Sequence, residues 1–218
     1  MGQKVNPYSF RLGRLYTWQS RWFAQGMDYQ KFLLEDVELR RFLMEKLKLA
    51  GIVKVEIERS INTVKIIFHV SRPGVVIGRG GSGLEALKKF INKKLKINPN
   101  DSKAMKVDLE VKEVKNPDIS ARLVCQRLVD QLAKRYPHRR AVAMAMDRVM
   151  NAGAKGIKVV FSGRIAGAEI SRTEKYNRGS IPLQTLRADI DYAQMPSLTK
   201  SGYIGIKVWI YKQEEEIT

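Results

Sequence analysis

Val75-Val76-Ile77-Gly78-Arg79-Gly80-Gly81-Ser82-Gly83 decides the fold, because it supports readings that exclude one another. Gly78 to Gly83 matches G-x-G-x-x-G, the dinucleotide fingerprint, and the match follows an apolar triplet and precedes a helical pattern. That fold also needs parallel strands and an acid about 20 residues on, at the end of the next strand. Asp101 lies near that distance, but Lys93-Lys94-Leu95-Lys96-Ile97-Asn98-Pro99 does not read as a buried parallel strand. The alternative is a G-x-x-G clamp, Gly78 to Gly81, between two short helices. Glycines let a backbone approach nucleotides closely, and the N–H groups of a helix N-terminus favour phosphate. A third reading is a tight glycine turn with no ligand. Between Arg72 and Lys96 there are seven basic residues and one acid, Glu85. A dinucleotide offers few charges to match them, whereas an RNA backbone offers a row.

Working outward, the elements on both sides favour the clamp. Asp28 can cap a helix that runs to about Ala50, with Leu39, Leu43 and Leu47 recurring every four residues beside Phe42, and Gly51 ends it. Val53 to Glu58 alternates apolar and polar, Ile61-Asn62-Thr63 supplies a turn, and Val64 to Val70 follows, so the pair reads as a hairpin. Val75-Val76-Ile77 fits a helical turn or a very short strand. After the glycines a helix from Ser82 to about Lys96 carries Leu84, Leu87, Ile91 and Leu95 on one face; Pro99-Asn100-Asp101 is a loop, and Met105 to Val114 alternates as a strand. Helix, strand, strand, short helix, glycine loop, helix, strand is the order of a KH domain, a module in which that loop clamps about four nucleotides.

Asn116-Pro117-Asp118 marks a boundary. Beyond it the pattern gives a helix over about Ile119 to Tyr136, stopped by Pro137. A second spans about Arg139 to Asn151, with Val142, Met146 and Val149 facing inward, and Gly153 ends it. Strands follow at Ile157 to Phe161, Ala168 to Lys175, Thr185 to Tyr192 and Tyr203 to Tyr211. The expected fold class is α+β: a basic arm over 1–27, a KH domain over 28–116, a second α+β domain over 117–212 with two helices on a mostly antiparallel four-stranded sheet, and a solvated acidic tail over 213–218.

Composition narrows the function. Forty Lys plus Arg face twenty-two Asp plus Glu in 218 residues, a net charge of +18. Such a charge opposes a compact chain unless a polyanion neutralises it, and nucleic acid is the commonest one. A hydrophobic content of 44% is ample for a core. No run approaches the ~20 apolar residues of a spanning helix, no signal peptide follows the basic start, and Asn6 stands where a myristoylation signal needs Ser or Thr. One cysteine allows no intramolecular disulfide, and Cys125 with two histidines cannot build a typical zinc site. Cys125 shares an apolar stripe with Val124, Leu128 and Leu132 and reads as core filling. No nucleophile–base pair stands out. The expectations are therefore no catalytic residues, no metal, no cofactor, no membrane and no small-molecule substrate.

Two further stretches carry charge. Residues 1–27 interleave Lys4, Arg11, Arg14 and Arg21 with Tyr8, Phe10, Tyr16, Trp18, Trp22 and Phe23. The aromatics either stack on bases or anchor the arm to the domain. Lys134-Arg135-Tyr136-Pro137-His138-Arg139-Arg140 joins the two later helices. Arg139 and Arg140 fall in a first turn, where cations oppose the helix dipole at about 0.3–1 kcal/mol each. Helix stability does not explain them; a phosphate chain would.

At these residues the chain resembles the third-protein family of the bacterial small ribosomal subunit, over nearly its whole length. Met1-Gly2-Gln3-Lys4-Val5 with Arg11-Leu12-Gly13 is similar to the family's opening, and Arg72-Pro73-Gly74-Val75-Val76-Ile77-Gly78 to the approach to its KH loop. The most specific stretch is Gly153-Ala154-Lys155-Gly156-Ile157-Lys158-Val159, then Ser162-Gly163-Arg164, Gly167-Ala168-Glu169-Ile170 and Arg172-Thr173-Glu174. Pro182-Leu183, Thr185 to Tyr192 and Gly205-Ile206-Lys207-Val208-Trp209 continue it. The resemblance implies a type II KH domain followed by a C-terminal α+β domain. It implies a non-enzymatic structural protein that binds small-subunit ribosomal RNA in the subunit head, beside the tenth and fourteenth small-subunit proteins. The setting it implies is the cytoplasm of a bacterium, or an organelle's matrix or stroma. It also implies that Arg139 and Arg140 face mRNA where it enters the subunit and help to separate paired mRNA.

The expected sites are thus Gly78, Arg79, Gly80 and Gly81 as the RNA clamp, Arg139 and Arg140 towards mRNA, and Lys4, Arg11, Arg14, Lys155 and Arg164 towards ribosomal RNA. Two positions depart from the family. Its third basic residue, three beyond the second arginine, is Ala143 here, which predicts a weaker grip on structured mRNA. The KH loop has Arg79 and Gly80 where the family often has Lys, so one side-chain phosphate contact is expected to be missing, and Gly83 is expected to add flexibility. Two other functions share parts of this pattern: a free KH regulator or RNA-processing factor, and a dinucleotide-binding enzyme.

Overall fold

The computed structural model describes residues 4–95 and 105–212. The opening Met1–Gln3, the helix end expected at Lys96, the loop at Pro99–Asp101 and the acidic tail lie outside the described residues. Contacts divide the chain into two units, one over 18–115 and one that joins 4–17 to 116–212. The arm expected over 1–27 is therefore split between them at Thr17 and Trp18.

Helix α1 (Pro7–Phe10) opens the chain; the first unit then runs β1 (Ser20–Arg21), α2 (Gly26–Lys46), β2 (Ile52–Arg59), β3 (Thr63–Val70), α3 (Pro73–Ile77), α4 (Ser82–Lys94) and β4 (Lys106–Glu113). Leu39 and Leu43 of α2 are buried, as their four-residue spacing requires. Asp28 does not cap this helix. The cap position is Gln25, with no side-chain hydrogen bond, and Asp28 sits in the first turn, where its charge suits the dipole. Gly51 ends the segment in the left-handed region at φ 69°. The hairpin forms with Val55 opposite Phe68 and Ile57 opposite Ile66. β4 then pairs with β3 in parallel, Val64 opposite Val107, because α3 and α4 carry the chain back across the sheet. The sheet order is β1-β2-β3-β4, and Leu39, Leu43, Val55, Ile57, Ile66, Phe68 and Ile91 form its core.

A buried ion pair closes this unit. Asp36, 1% exposed, accepts hydrogen bonds from Arg59 Nε (2.9 Å) and Nη2 (2.6 Å), from Trp22 Nε1 (2.8 Å) and from Ser20 Oγ (3.0 Å). Neither charge is left uncompensated, which is the condition under which such burial is tolerated.

The second unit comprises α1, α5 (Ala121–Ala133), α6 (His138–Asn151), β5 (Gly156–Gly163), β6 (Arg172–Gly179), β7 (Ile190–Thr199) and β8 (Gly202–Tyr211). Its strands are ordered β6-β5-β8-β7, and every pairing is antiparallel. Val124, Cys125 and Leu128 of α5 and Val142 and Val149 of α6 pack against Val159, Phe161, Ile206 and Val208 of the sheet. Cys125 is fully buried and is core filling, as its stripe implied; burial pushes its thiol pKa up to about 12.

Two strands are displaced from their expected positions. β6 begins at Arg172 rather than Ala168, and β7 at Ile190 rather than Thr185. β7 starts where its partner β8 ends, Ile190 opposite Tyr211, and the residues before it are held by Arg11. Its guanidinium donates from Nε to the carbonyl of Ala188 (2.7 Å), from Nη1 to Pro7 (3.0 Å) and from Nη2 to Leu183 and Thr185 (3.0 Å each). Residues 182–188 turn locally instead, with Thr185 N–H donating to Pro182 O and Ala188 N–H to Thr185 O (3.3 Å each), and the guanidinium gathers the carbonyls that this turn presents. Arg11 is 0% exposed. The expectation that it contacts ribosomal RNA is corrected: it holds the N-terminal segment to its own domain. Tyr8 and Tyr16 stack beside it with centroids 4.5 Å apart, and the Tyr16 hydroxyl donates to Asp189 and to the carbonyl of Ile190.

Candidate nucleic-acid interface

The glycine loop follows α3, a helical turn begun by Pro73 and anchored by buried Val76. The dinucleotide fingerprint needs a strand there, so that reading fails on the local structure. Gly78, Gly80 and Gly81 hold φ of +71°, +60° and +84°, a region that an L side chain occupies at a cost. Gly83 acts differently from the expected flexible residue. A Cβ on it would lie 2.5 Å from the Val76 carbonyl oxygen and 2.9 Å from that of Ile77. Its bare Cα lets α4 start directly against the end of α3. The loop between them carries Arg79 and Gly80 exposed, directly ahead of the first turn of α4. Lys88, Lys89 and Lys93 are exposed further along α4, while Lys94 pairs with Glu38 at 3.1 Å.

The second basic element lies between α5 and α6. α5 ends at Ala133 rather than Tyr136, and the chain turns through a Schellman motif: Arg135 N–H donates to Leu132 O (2.9 Å) and Tyr136 N–H to Gln131 O (3.0 Å). The left-handed residue of this motif is usually glycine; here it is Arg135, at φ +58°. Pro137 then leads into α6, which begins at His138. Arg139 and Arg140 are both exposed in the first turn, and Ala143 is exposed one turn on.

One feature at this helix start has no signal in the sequence. Glu174, from β6, accepts hydrogen bonds from His138 Nε2 (2.9 Å), the Tyr176 hydroxyl (2.6 Å) and Arg172 Nε (2.7 Å). The Tyr176 bond foremost, with help from Arg172 and His138, holds its carboxyl pKa below the usual range. Burial and Glu174 raise the pKa of the Tyr176 hydroxyl, and the positive charge of Arg139 opposes the rise. A carboxylate borrowed from a strand thus offsets part of the dipole penalty of two arginines. Only the registers of β5 with β6 and β8 bring it there.

The remaining expected contacts are scattered over the second unit. Lys4 and Arg14 are exposed. Lys155 is exposed with its ammonium 5.3 Å from the Tyr211 ring centre. Arg164 is exposed and donates from Nε to the carbonyl of Ala168 (2.9 Å). Of the arm's aromatics, Tyr8, Tyr16 and Trp22 are anchors, whereas Trp18 and Phe23 are 69% and 85% exposed. Among the described residues no group of three His, Cys, Asp or Glu could hold a metal ion, and no helix is long and apolar enough to cross a membrane.

Comparison with known proteins places both units. The KH domain family model matches residues 38–119, and the model described as ribosomal protein S3, C-terminal domain, matches residues 128–210. A protein of Caldicellulosiruptor saccharolyticus named small ribosomal subunit protein uS3 is 50% identical over 212 residues, covering 97% of this chain and 92% of its own. Proteins of the same name from Bdellovibrio bacteriovorus (50% over 212 residues, 97% and 92%) and Clostridium acetobutylicum (45% over 214 residues, 98% and 93%) are similar over the same span.

Proposed function

The chain belongs to the small ribosomal subunit protein uS3 family, and from that premise we propose how its two basic elements divide the work of binding RNA. It is a structural, non-enzymatic constituent of the small ribosomal subunit and an RNA-binding protein of translation. Beyond this, ribosomal RNA of the subunit head is the partner of the exposed cations Lys4, Arg14, Lys155 and Arg164, and Gly78-Arg79-Gly80-Gly81 clamps a nucleotide backbone. Arg139 and Arg140 face mRNA where it enters. The tenth and fourteenth small-subunit proteins are the neighbours, and the particle works in the cytoplasm.

The observation that carries the mRNA reading is the exposed arginine pair at the start of α6, kept where it works against the helix dipole. Ala143 lies on the same exposed face, one turn on, so the family's third cation can be restored there without disturbing the core. Translation through a stable mRNA hairpin should slow in Arg139→Ala and Arg140→Ala and quicken in Ala143→Lys. If none of the three changes the rate, the mRNA role is wrong. Incorporation is tested separately, by sedimenting the tagged chain in sucrose gradients. A protein built into the particle comigrates with small subunits even at high salt, whereas a free RNA regulator is washed off.

A further inference from the structure

A cleft of about 400 Å³ opens in the second unit beside the α5–α6 turn, within the size range of ligand pockets. Its floor is apolar, formed by buried Phe161, Ile165 and Ile204. Its rim carries Arg135, Tyr136 and Lys200. Arg135 and Lys200 are exposed, and no acid lines the cleft. Two of the lining residues, Arg135 and Ala166, hold left-handed backbone at φ +58° and +57° although neither is glycine. Strained backbone of this kind collects at ligand sites.

An apolar floor under an uncompensated cationic rim fits a flat, weakly polar body attached to an anion, and rejects cations. We propose that the cleft receives one base of a single RNA strand, with Tyr136 as its stacking face and Arg135 and Lys200 on the flanking phosphates. The turn that forms this rim continues directly into Arg139 and Arg140. A strand held by that pair therefore passes the mouth of the cleft, and the inference rests on that reading of the pair. The arginines would grip the backbone while the cleft withdraws a base from pairing, which deepens the proposed separation of paired mRNA.

The test uses the purified full chain, a short oligouridylate and the same oligomer with abasic residues. Ser201 lies in the cleft on the β7–β8 turn, so Ser201→Phe fills the space from an outer loop. Stacking of a base on an aromatic residue is worth about 5- to 150-fold in affinity. Ser201→Phe should lower the ratio of intact to abasic affinity by a factor in that range, with the thermal midpoint unchanged. Lys200→Glu, on the same exposed turn, should weaken both oligomers alike and reduce the salt slope by about one. A 5-iodouridine oligomer should crosslink to Tyr136 in the wild type and not in Ser201→Phe. An unchanged affinity ratio in Ser201→Phe, with no crosslink in either protein, overturns the proposal. So does an unchanged ratio accompanied by loss of a neighbouring protein from small subunits carrying Ser201→Phe, which would make the cleft a protein-docking site. Failure of the arginine reading is distinct: Arg139→Ala with Arg140→Ala would leave binding of both oligomers untouched.

Discussion

At Gly78–Gly83 three glycines occupy left-handed backbone and the fourth lies where a Cβ would collide with two carbonyl oxygens, whereas at Arg135–Arg140 a left-handed position carries arginine and a helix start carries two more. The first element is defined by side chains it lacks. The second keeps side chains that cost it stability. Backbone geometry that depends on glycine can only be harmed by substitution. Cations held against strain and dipole should, when removed, leave the fold more stable and the binding weaker. The two basic turns thus predict opposite signs for the same experiment.

The largest effect belongs to the loop. Gly83→Ala should destabilise the KH unit by about 3 kcal/mol or more, because the collision is with backbone that cannot move aside cheaply. Gly80→Ala, with nothing within 4 Å of the new Cβ, should cost only about 1 kcal/mol for its φ of +60°. Urea unfolding of the two variants separates them, and equal losses would mean that the α3–α4 contact does not set the loop. Arg11→Met should come next, at about 3 kcal/mol, since it strands carbonyl oxygens inside the second unit. Amide exchange in residues 182–188 should quicken first. If RNA binding falls while that exchange holds, Arg11 belongs with the RNA contacts after all.

Smaller effects test the arginine turn. Arg139→Ala combined with Arg140→Ala should lower the salt slope of RNA binding by about two while raising helix stability by roughly 0.3–1 kcal/mol per charge. Arg135→Gly should add about 1 kcal/mol to stability by relieving the left-handed strain and should weaken RNA binding. A destabilised Arg135→Gly protein would break the comparison. The smallest effect is with pH. The carboxyl pKa of Glu174 is depressed in the fold, so the stability from its three hydrogen bonds is complete above the ordinary carboxylate range and is lost as pH falls through the depressed value. The site is near solvent, so the loss should stay below about 0.5 kcal/mol, and Glu174→Gln should abolish this part of the acid dependence.

Much of this was legible in the residues alone. Local rules suffice for the α2 leucines spaced by four, for the hairpin of β2 and β3, for Pro137 between two helices and for the glycines of the loop, because each depends on neighbours in sequence. The net charge of +18 likewise points to a polyanion, since it is a sum over residue types. Tertiary structure alone decided the rest. β4 lies parallel to β3 because two helices intervene, which alternation of residues cannot report. Arg11 reads as one more cation in a basic arm until carbonyls more than 170 residues away close around it. Glu174 reaches the start of α6 only through the pairing of β6 with β5, and the cleft exists only where three separate turns meet. Sequence determines propensity, periodicity and charge, which are local or summed quantities. Which side chains are buried, paired or left free depends on which distant backbone arrives beside them.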